Sequence, residues 1–283
     1  MAKQKREVEV VVLSDIHLGT YGCHAKELVA YLKSVSPKVL ILNGDVIDGW
    51  AFSKRYFPNS HMAVLSEFFK MMKKGTQVIY ITGNHDEFLR KYTDLSMGNL
   101  FLTDKYLLEI EGKKHWIFHG DVFDHTTSGS AKFIAKLGGM GYDWLILVNR
   151  AINWVLEKFG KGKVSLSKKV KNSVKKAVKF IGDFEKKATE IAINNHYDYV
   201  ICGHIHQPAD KIWTTEKGSV HYLNSGDWIE NLSWLEFDKG TWSLKFFNEK
   251  EFEKPVIEEN DISVNMEELI HPKVFAEFAT QKV

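Results

Sequence analysis

Val8-Glu9-Val10-Val11-Val12-Leu13-Ser14-Asp15-Ile16-His17 joins a β-branched apolar run to a pair of side chains able to chelate an ion. The run reads as a buried strand, and the polar cluster marks where it stops. The same grammar recurs at Val39 to Leu42 before Asn43-Gly44-Asp45-Val46-Ile47-Asp48, and at Val78 to Thr82 before Gly83-Asn84-His85-Asp86. It recurs again at Tyr199 to Cys202 before Gly203-His204-Ile205-His206, and Phe118-His119-Gly120-Asp121 closes a further apolar stretch. Helical patterns fill the intervals, at His24 to Ser34 and at His61 to Lys73, where Val64, Leu65, Phe68, Phe69 and Met72 share helical spacing. Apolar strands alternating with helices predict βαβ units and a buried parallel or mixed sheet.

Farther along, Tyr106 to His119 reads as a hairpin around Glu111-Gly112-Lys113-Lys114. Short strands are expected at Lys211 to Thr215, Val220 to Asn224, Leu232 to Phe237 and Trp242 to Phe247. The chain is thus α/β first and mainly β at its end, which predicts two sheets packed as a sandwich flanked by helices. Residues 125 to about 190 interrupt the plan: Tyr142 to Phe159 is apolar nearly all round, and Leu166, Val170, Val174, Ala177, Ile181 and Phe184 form one helical stripe. This is expected to be a helical cap inserted in one domain spanning 1–248, followed by a loosely packed acidic segment at 249–283.

The 283 residues, 44% hydrophobic and 26% charged, suffice for a full core and exclude a disordered or fibrous chain. Two cysteines, Cys23 and Cys202, are too few for a disulfide framework and fit a reducing compartment. No export signal or bilayer-length apolar segment is read, so the expectation is a cytoplasmic chain. The net charge of +2 conceals a cancellation. Lys161 to Lys187 holds ten Lys against Asp183 and Glu185, a local +8, while Glu249 to Glu268 carries eight acids against Lys250 and Lys254, a local −6. The basic run is either the solvated face of a helix or a surface for an anionic membrane or phosphorylated lipid. It lacks a motif that reads nucleic acid, which is not an expected partner.

The strand-end clusters pool seven donors: Asp15, His17, Asp45, Asn84, His119, His204 and His206. Two carboxylates, one amide oxygen and four imidazoles exceed what one tetrahedral zinc needs. They suit two divalent ions sharing a carboxylate; mixed nitrogen and oxygen ligands without thiolate favour Mn, Fe or Zn over Mg, and Mn is the expected metal. Glycines beside Asp45, Asn84, His204 and His119 permit the close backbone approach such a centre requires.

Asp-x-His, Gly-Asp, Gly-Asn-His-Asp, His-Gly and Gly-His-x-His, in this order from about residue 8 to 240, resemble the signature of calcineurin-like metallophosphoesterases. The resemblance implies a four-layer αββα sandwich with two metals. Asp15, His17, Asp45 and His206 would hold one ion, and Asp45, Asn84, His119 and His204 the other. A metal-bridging hydroxide would attack phosphorus in line while His85 faces the phosphate; Asp86 either orients His85 or serves as a turn or cap residue.

Gly44 to Trp50, Asn84 to Phe88, His119 to Asp124 and Asn224-Ser225-Gly226-Asp227-Trp228 are similar to the branch of UDP-2,3-diacylglucosamine pyrophosphatases of lipid A synthesis. That likeness implies cleavage of a nucleotide-linked lipid diphosphate, with Asn84, His85, His204 and the cap residues Ser165, Ser167, Lys168 and Lys171 touching substrate. In that branch the metal-binding Asn is followed by Arg, and here by His85. A soluble nucleotide or phosphodiester is therefore the alternative substrate, and a non-catalytic scaffold the alternative class.

Overall fold

The computed structural model describes residues 5–49, 56–124, 167–253 and 255–258, with backbone alone for 167–177. Four parallel strands, β1 (Arg6–Leu13), β2 (Val35–Asn43), β3 (Gln77–Ile81) and β5 (Leu100–Thr103), form the centre of the first sheet. The short β4 (Ser96–Met97) closes one edge, and antiparallel β11 (Ser233–Asp238) and β12 (Thr241–Phe246) close the other, in the order β12-β11-β1-β2-β3-β5-β4. The second sheet runs β6-β7-β8-β10-β9, from β6 (Lys105–Ile110), β7 (Lys113–Phe118), β8 (Tyr199–Cys202), β9 (Ala209–Thr215) and β10 (Gly218–Asn224). Here β7, β8 and β10 are parallel, and the two edge strands are antiparallel to their neighbours.

Alternation along each strand explains the unbroken apolar runs. Val11 and Leu13 of β1, Leu40 and Leu42 of β2 and Val78 of β3 face a core shared with α1 (Ala25–Ser34) and α2 (Asn59–Lys73). Val10, Val12, Ile41, Ile79 and Ile81 face the opposite way, onto Ile117, Ile201 and Leu223 of the second sheet. Both faces are buried there, so no charged position interrupts Val10 to Leu13, Val39 to Leu42 or Val78 to Ile81. On the outer face of the second sheet, Phe184, Ala188, Ala192 and Ile193 of α3 (Ser167–Asn194) pack against Phe118, Val200, Cys202 and Tyr222. The layers are helix, sheet, sheet, helix: the αββα sandwich expected from the sequence.

Local chemistry matches this plan with three differences. The β6–β7 turn is the two-residue Glu111-Gly112, both at positive φ (52° and 74°), as a tight primed hairpin turn requires. On α2 the buried stripe is Val64, Phe68 and Met71, and Phe69 is exposed. The C-terminal half of α3 begins within the 125–190 stretch read as an insertion, where Phe184 and Ala188 already belong to the fourth layer of the sandwich. Tyr142 to Phe159 lies outside the described residues. Part of the acidic segment packs on the first layer, where Phe252 sits edge-on to Tyr31 and Trp234 and Ile257 joins the same core. Apolar residues interspersed among its acids account for that docking. Among the described residues, no helix is long and apolar enough to cross a membrane.

Candidate metal centre

The strands β1, β2, β3, β7 and β8 each end beside one pair or single member of the donor set, and the two sheets are stitched together there. Asn43 Nδ2 donates to the Phe118 carbonyl at 3.2 Å, His119 Nδ1 meets the Asn43 carbonyl at 2.9 Å, and the Gly203 amide donates to the His119 carbonyl at 3.0 Å. Close approach fixes the glycines. A Cβ on Gly203 would stand 2.6 Å from Asp15 Oδ2, and one on Gly44, whose φ is +81°, would overlap the His119 ring. The backbone is held in an uncommon state as well. Of ten non-glycine residues with positive φ among those described, five are Asp15, His17, Asp45, His204 and His206. Such conformations cost about 1–3 kcal/mol each and persist where surrounding structure enforces them.

These side chains gather in two groups whose ligand atoms lie within 4.8 Å of one another: Asp15 with His17 and His206, and Asp45 with His119 and His204. His206 Nε2 is 3.2 Å from Asp15 Oδ1 and 3.3 Å from His17 Nε2. His119 Nε2 is 3.2 Å, and His17 Nε2 3.9 Å, from Asp45 Oδ2, so Asp45 faces both groups. Burial alone would raise the Asp45 carboxyl, but His119, then His17 and His85, hold it well below the usual range. Burial likewise opposes charge on His206, and Asp15 outweighs it, raising the imidazole to about 9.

The donor chemistry fits a pair of divalent ions. Asn84 Oδ1 and His119 Nε2 are buried without a hydrogen bond, an arrangement that burial penalises unless another ligand completes it. Cys202, the cysteine nearest in sequence, is buried in the outer-layer core and keeps thiolate out of the set.

A third group, His17, Asp48 and His85, adjoins the first two. Asp48 Oδ2 lies 3.0 Å from His85 Nδ1 and 3.5 Å from His17 Nδ1. The carboxylate at His85 is therefore Asp48 and not Asp86. Asp86 is fully engaged elsewhere: its oxygens accept from the amides of Gly83 (2.6 Å) and Val46 (3.0 Å) and from the Tyr80 hydroxyl (2.7 Å). It braces the turn between the β2 and β3 ends, which is the turn role weighed for it from sequence.

Two further acids were missed. Asp124 Oδ1 is 3.0 Å from His204 Nε2, and Asp227 Oδ2 is 3.8 Å from His206 Nδ1. Asp227 also caps its own loop by accepting the amides of Ile229 (2.8 Å) and Asn231 (3.1 Å), and Trp228 donates its amide to the Asp15 carbonyl at 3.1 Å. The motif Asn224 to Trp228 thus supports the site from behind, a use its spacing alone did not reveal. Of the cap residues, Ser165 lies outside the described residues. Ser167, Lys168 and Lys171 lie in the first turns of α3, where the backbone alone is described.

The family model for calcineurin-like phosphoesterases matches residues 8–208. A UDP-2,3-diacylglucosamine hydrolase of Aliivibrio fischeri is 24% identical over 247 residues, covering 86% of this chain and 99% of that one. A DNA polymerase II small subunit of Thermoplasma acidophilum is 31% identical over 144 residues, 42% of this chain and 30% of that one. A solved phosphoesterase from E. coli overlays with a TM-score of 0.40 and 16% identity, covering 90% of this chain and 99% of the other.

Proposed function

The chain belongs to the calcineurin-like phosphoesterase family and is a metal-dependent phosphoester hydrolase, and on that premise we propose that it cleaves the diphosphate of a nucleotide-linked lipid of the UDP-2,3-diacylglucosamine type. The observation carrying the metal-dependent part is the pair of three-residue ligand groups that meet at Asp45. Asp15, His17, Asp45 and His206 would hold one ion, and Asp45, Asn84, His119 and His204 the other, with Mn the proposed metal. Such a pair supplies an activated water and offsets charge on the phosphoryl oxygens.

His85 has a separate task. Its Nδ1 is engaged by Asp48, which leaves Nε2 to face a phosphoryl group and give a proton to the departing oxygen. Burial lowers the proton affinity of this ring, but Asp48 and Asp45 more than offset that and raise its pKa above the ordinary value, as a proton donor requires. Asp48 holds the ring by one nitrogen, so the donor is oriented before substrate arrives.

The lipid-linked substrate is supported by the hydrolase relative that matches nearly end to end. In this proposal Ser165, Ser167, Lys168 and Lys171 contact the sugar phosphate, and the basic run brings the enzyme to the anionic inner face of the membrane. His85, where the branch has Arg, favours a second reading in which the same centre cleaves a soluble nucleotide or phosphodiester. Protein supplemented with Mn separates these on a panel of UDP-2,3-diacylglucosamine, soluble UDP-sugars and a phosphodiester. A rate at least about 100-fold higher on the lipid-linked compound is expected, as a dedicated pocket would give. Equal rates transfer the assignment to the second reading, and no hydrolysis of any member defeats both.

A further inference from the structure

The two imidazoles of Gly203-His204-Ile205-His206 leave one strand end for different ligand groups, and their rings are held in opposite senses. His206 turns Nε2 toward Asp15, at 3.2 Å, and Nδ1 toward Asp227, at 3.8 Å. His204 belongs with Asp45 and His119, yet its Nε2 meets Asp124 Oδ1 at 3.0 Å. Asp124 is not part of the Asp45 group, whose ligand atoms lie within 4.8 Å of one another. It therefore holds the ring from outside. With Nε2 engaged there, Nδ1 is the nitrogen left for the Asp45 group.

We propose that Asp124 is a positioning residue for His204: it accepts the Nε2 proton, fixes the tautomer with a bare Nδ1, and thereby sets the affinity for the ion shared with Asp45 and His119. The proposal rests on the metal-dependent reading above. The backbone of His204 has little freedom of its own, with φ at 68° and its amide donating to Asp15 Oδ2 at 3.0 Å. What remains is rotation of the ring about its last torsion, which has two broad orientations that exchange Nδ1 with Cδ2 and Nε2 with Cε1. A carboxylate on one side selects between them, and a ligating histidine is commonly fixed in this way by an acceptor on its other nitrogen.

Asp124 is itself well placed to select. Its amide donates to the Asp121 carbonyl at 3.0 Å, at the end of a single 3-10 turn formed by Asp121–Phe123. Phe123 anchors that turn, with its ring 5.6 Å from Phe118 and 5.5 Å from Phe184. The Asp124 side chain is 13% exposed, so water competes weakly for the carboxylate.

The test titrates purified protein with Mn alone, by competition with a chelator, and compares wild type with Asp124→Ala and Asp124→Asn. Wild type is expected to bind two ions. Asp124→Ala is expected to weaken one of them about 10- to 100-fold and leave the other unchanged. Asp124→Asn keeps an oxygen that can accept the Nε2 proton, so it is expected to retain most of the affinity. Long-range proton–nitrogen spectra of the Zn-loaded wild type should show His204 protonated at Nε2, a readout that needs no variant to fold. Protonation at Nδ1, or two ions bound to Asp124→Ala with wild-type constants, overturns the positioning role alone. A wild type that takes up no Mn overturns the metal-dependent reading together with it.

Discussion

Two buried carboxylates, Glu236 on β11 and Asp45 after β2, are 4% and 2% exposed and behave oppositely. Glu236 is closed by the protein itself. It accepts from Arg6 Nη1 and Nη2 at 2.9 and 2.7 Å, from the Tyr31 hydroxyl at 3.0 Å and from Trp234 Nε1 at 2.9 Å. Arg6, Tyr31 and Trp234 each find an oxygen of this carboxylate, and the group locks α1, β1 and β11 together. Asp45 accepts the His85 amide at 2.8 Å, but the imidazoles of His119 and His17 face its other oxygen while the Asn84 oxygen and His119 Nε2 go without hydrogen bonds. Its backbone sits at φ 54°, whereas Glu236 lies in a regular strand. Burial and charge alone therefore do not distinguish a structural ion network from a functional one. What distinguishes them is unused ligand capacity aimed at a common point, held on strained backbone.

That contrast breaks most visibly at Asp45. Asp45→Asn keeps the shape and removes the charge facing both groups. Its hydrolytic kcat is expected to fall by about 1000-fold or more, since both charge compensation and ion binding depend on it. A second measurement isolates the cause. Mn at 100 times its dissociation constant should stabilise wild type by about 2.7 kcal/mol through binding to the folded state. The variant should show no such rise in melting temperature, and a retained rise would return Asp45 to the same structural class as Glu236.

The two carboxylates also differ in how far the sequence exposes them. Asp45 stands in a cluster at a strand end, and the strands were legible because Val10 to Leu13, Val39 to Leu42 and Val78 to Ile81 have both faces buried and so contain no polar interruption. Parallel strands then deliver their ends to one edge, which is why seven donors scattered from residue 15 to 206 could be pooled without coordinates. Glu236 gives no such sign. Its partners Arg6 and Tyr31 are 230 and 205 residues away, and the lone acid in Ser233-Trp234-Leu235-Glu236-Phe237 reads as an ordinary outward position of a strand. The orienting acids failed for a related reason. Asp86 is adjacent to His85 in sequence, yet the turn directs its carboxylate back to Gly83 and Val46, and Asp48, 37 residues away across two strands, reaches the ring instead. Sequence proximity within a turn says little about which way a side chain projects. One amphipathic stripe from Leu166 to Phe184 likewise gives no mark where α3 joins the sheet, so the docking of Phe184 and Ala188 on the second sheet was not legible.

A change at Glu236 should invert the Asp45 result. Glu236→Ala leaves the Tyr31 hydroxyl and Trp234 Nε1 buried without an acceptor, at about 1–3 kcal/mol for each unsatisfied group. The Arg6 side chain is 52% exposed and can return to water, so its share is small. The expected loss is about 2–4 kcal/mol in urea unfolding, with the Mn-dependent gain in melting temperature intact. Loss of that gain would mean that the two networks are coupled through β1, which pairs Val11 with Glu236 and carries Asp15 at its end.

The smallest effect expected is confined to acid. Burial pushes the Glu236 carboxyl upward, but Arg6, Trp234 and Tyr31 outweigh it and hold the folded value below the ordinary 4.5. Above pH 4.5 the full contribution to stability is present. As pH falls from there toward the folded value, the unfolded chain takes up its proton first, and the contribution is progressively lost. Glu236→Gln cannot titrate, so the difference in unfolding free energy between wild type and this variant should be constant above pH 4.5 and shrink below it. The subtraction removes the other acids, including the metal-site carboxylates, whose titration is common to both proteins. A difference that stays flat into acid would show that the carboxylate is no more acidic folded than unfolded, and that Arg6 is too well hydrated to make the network a charged one.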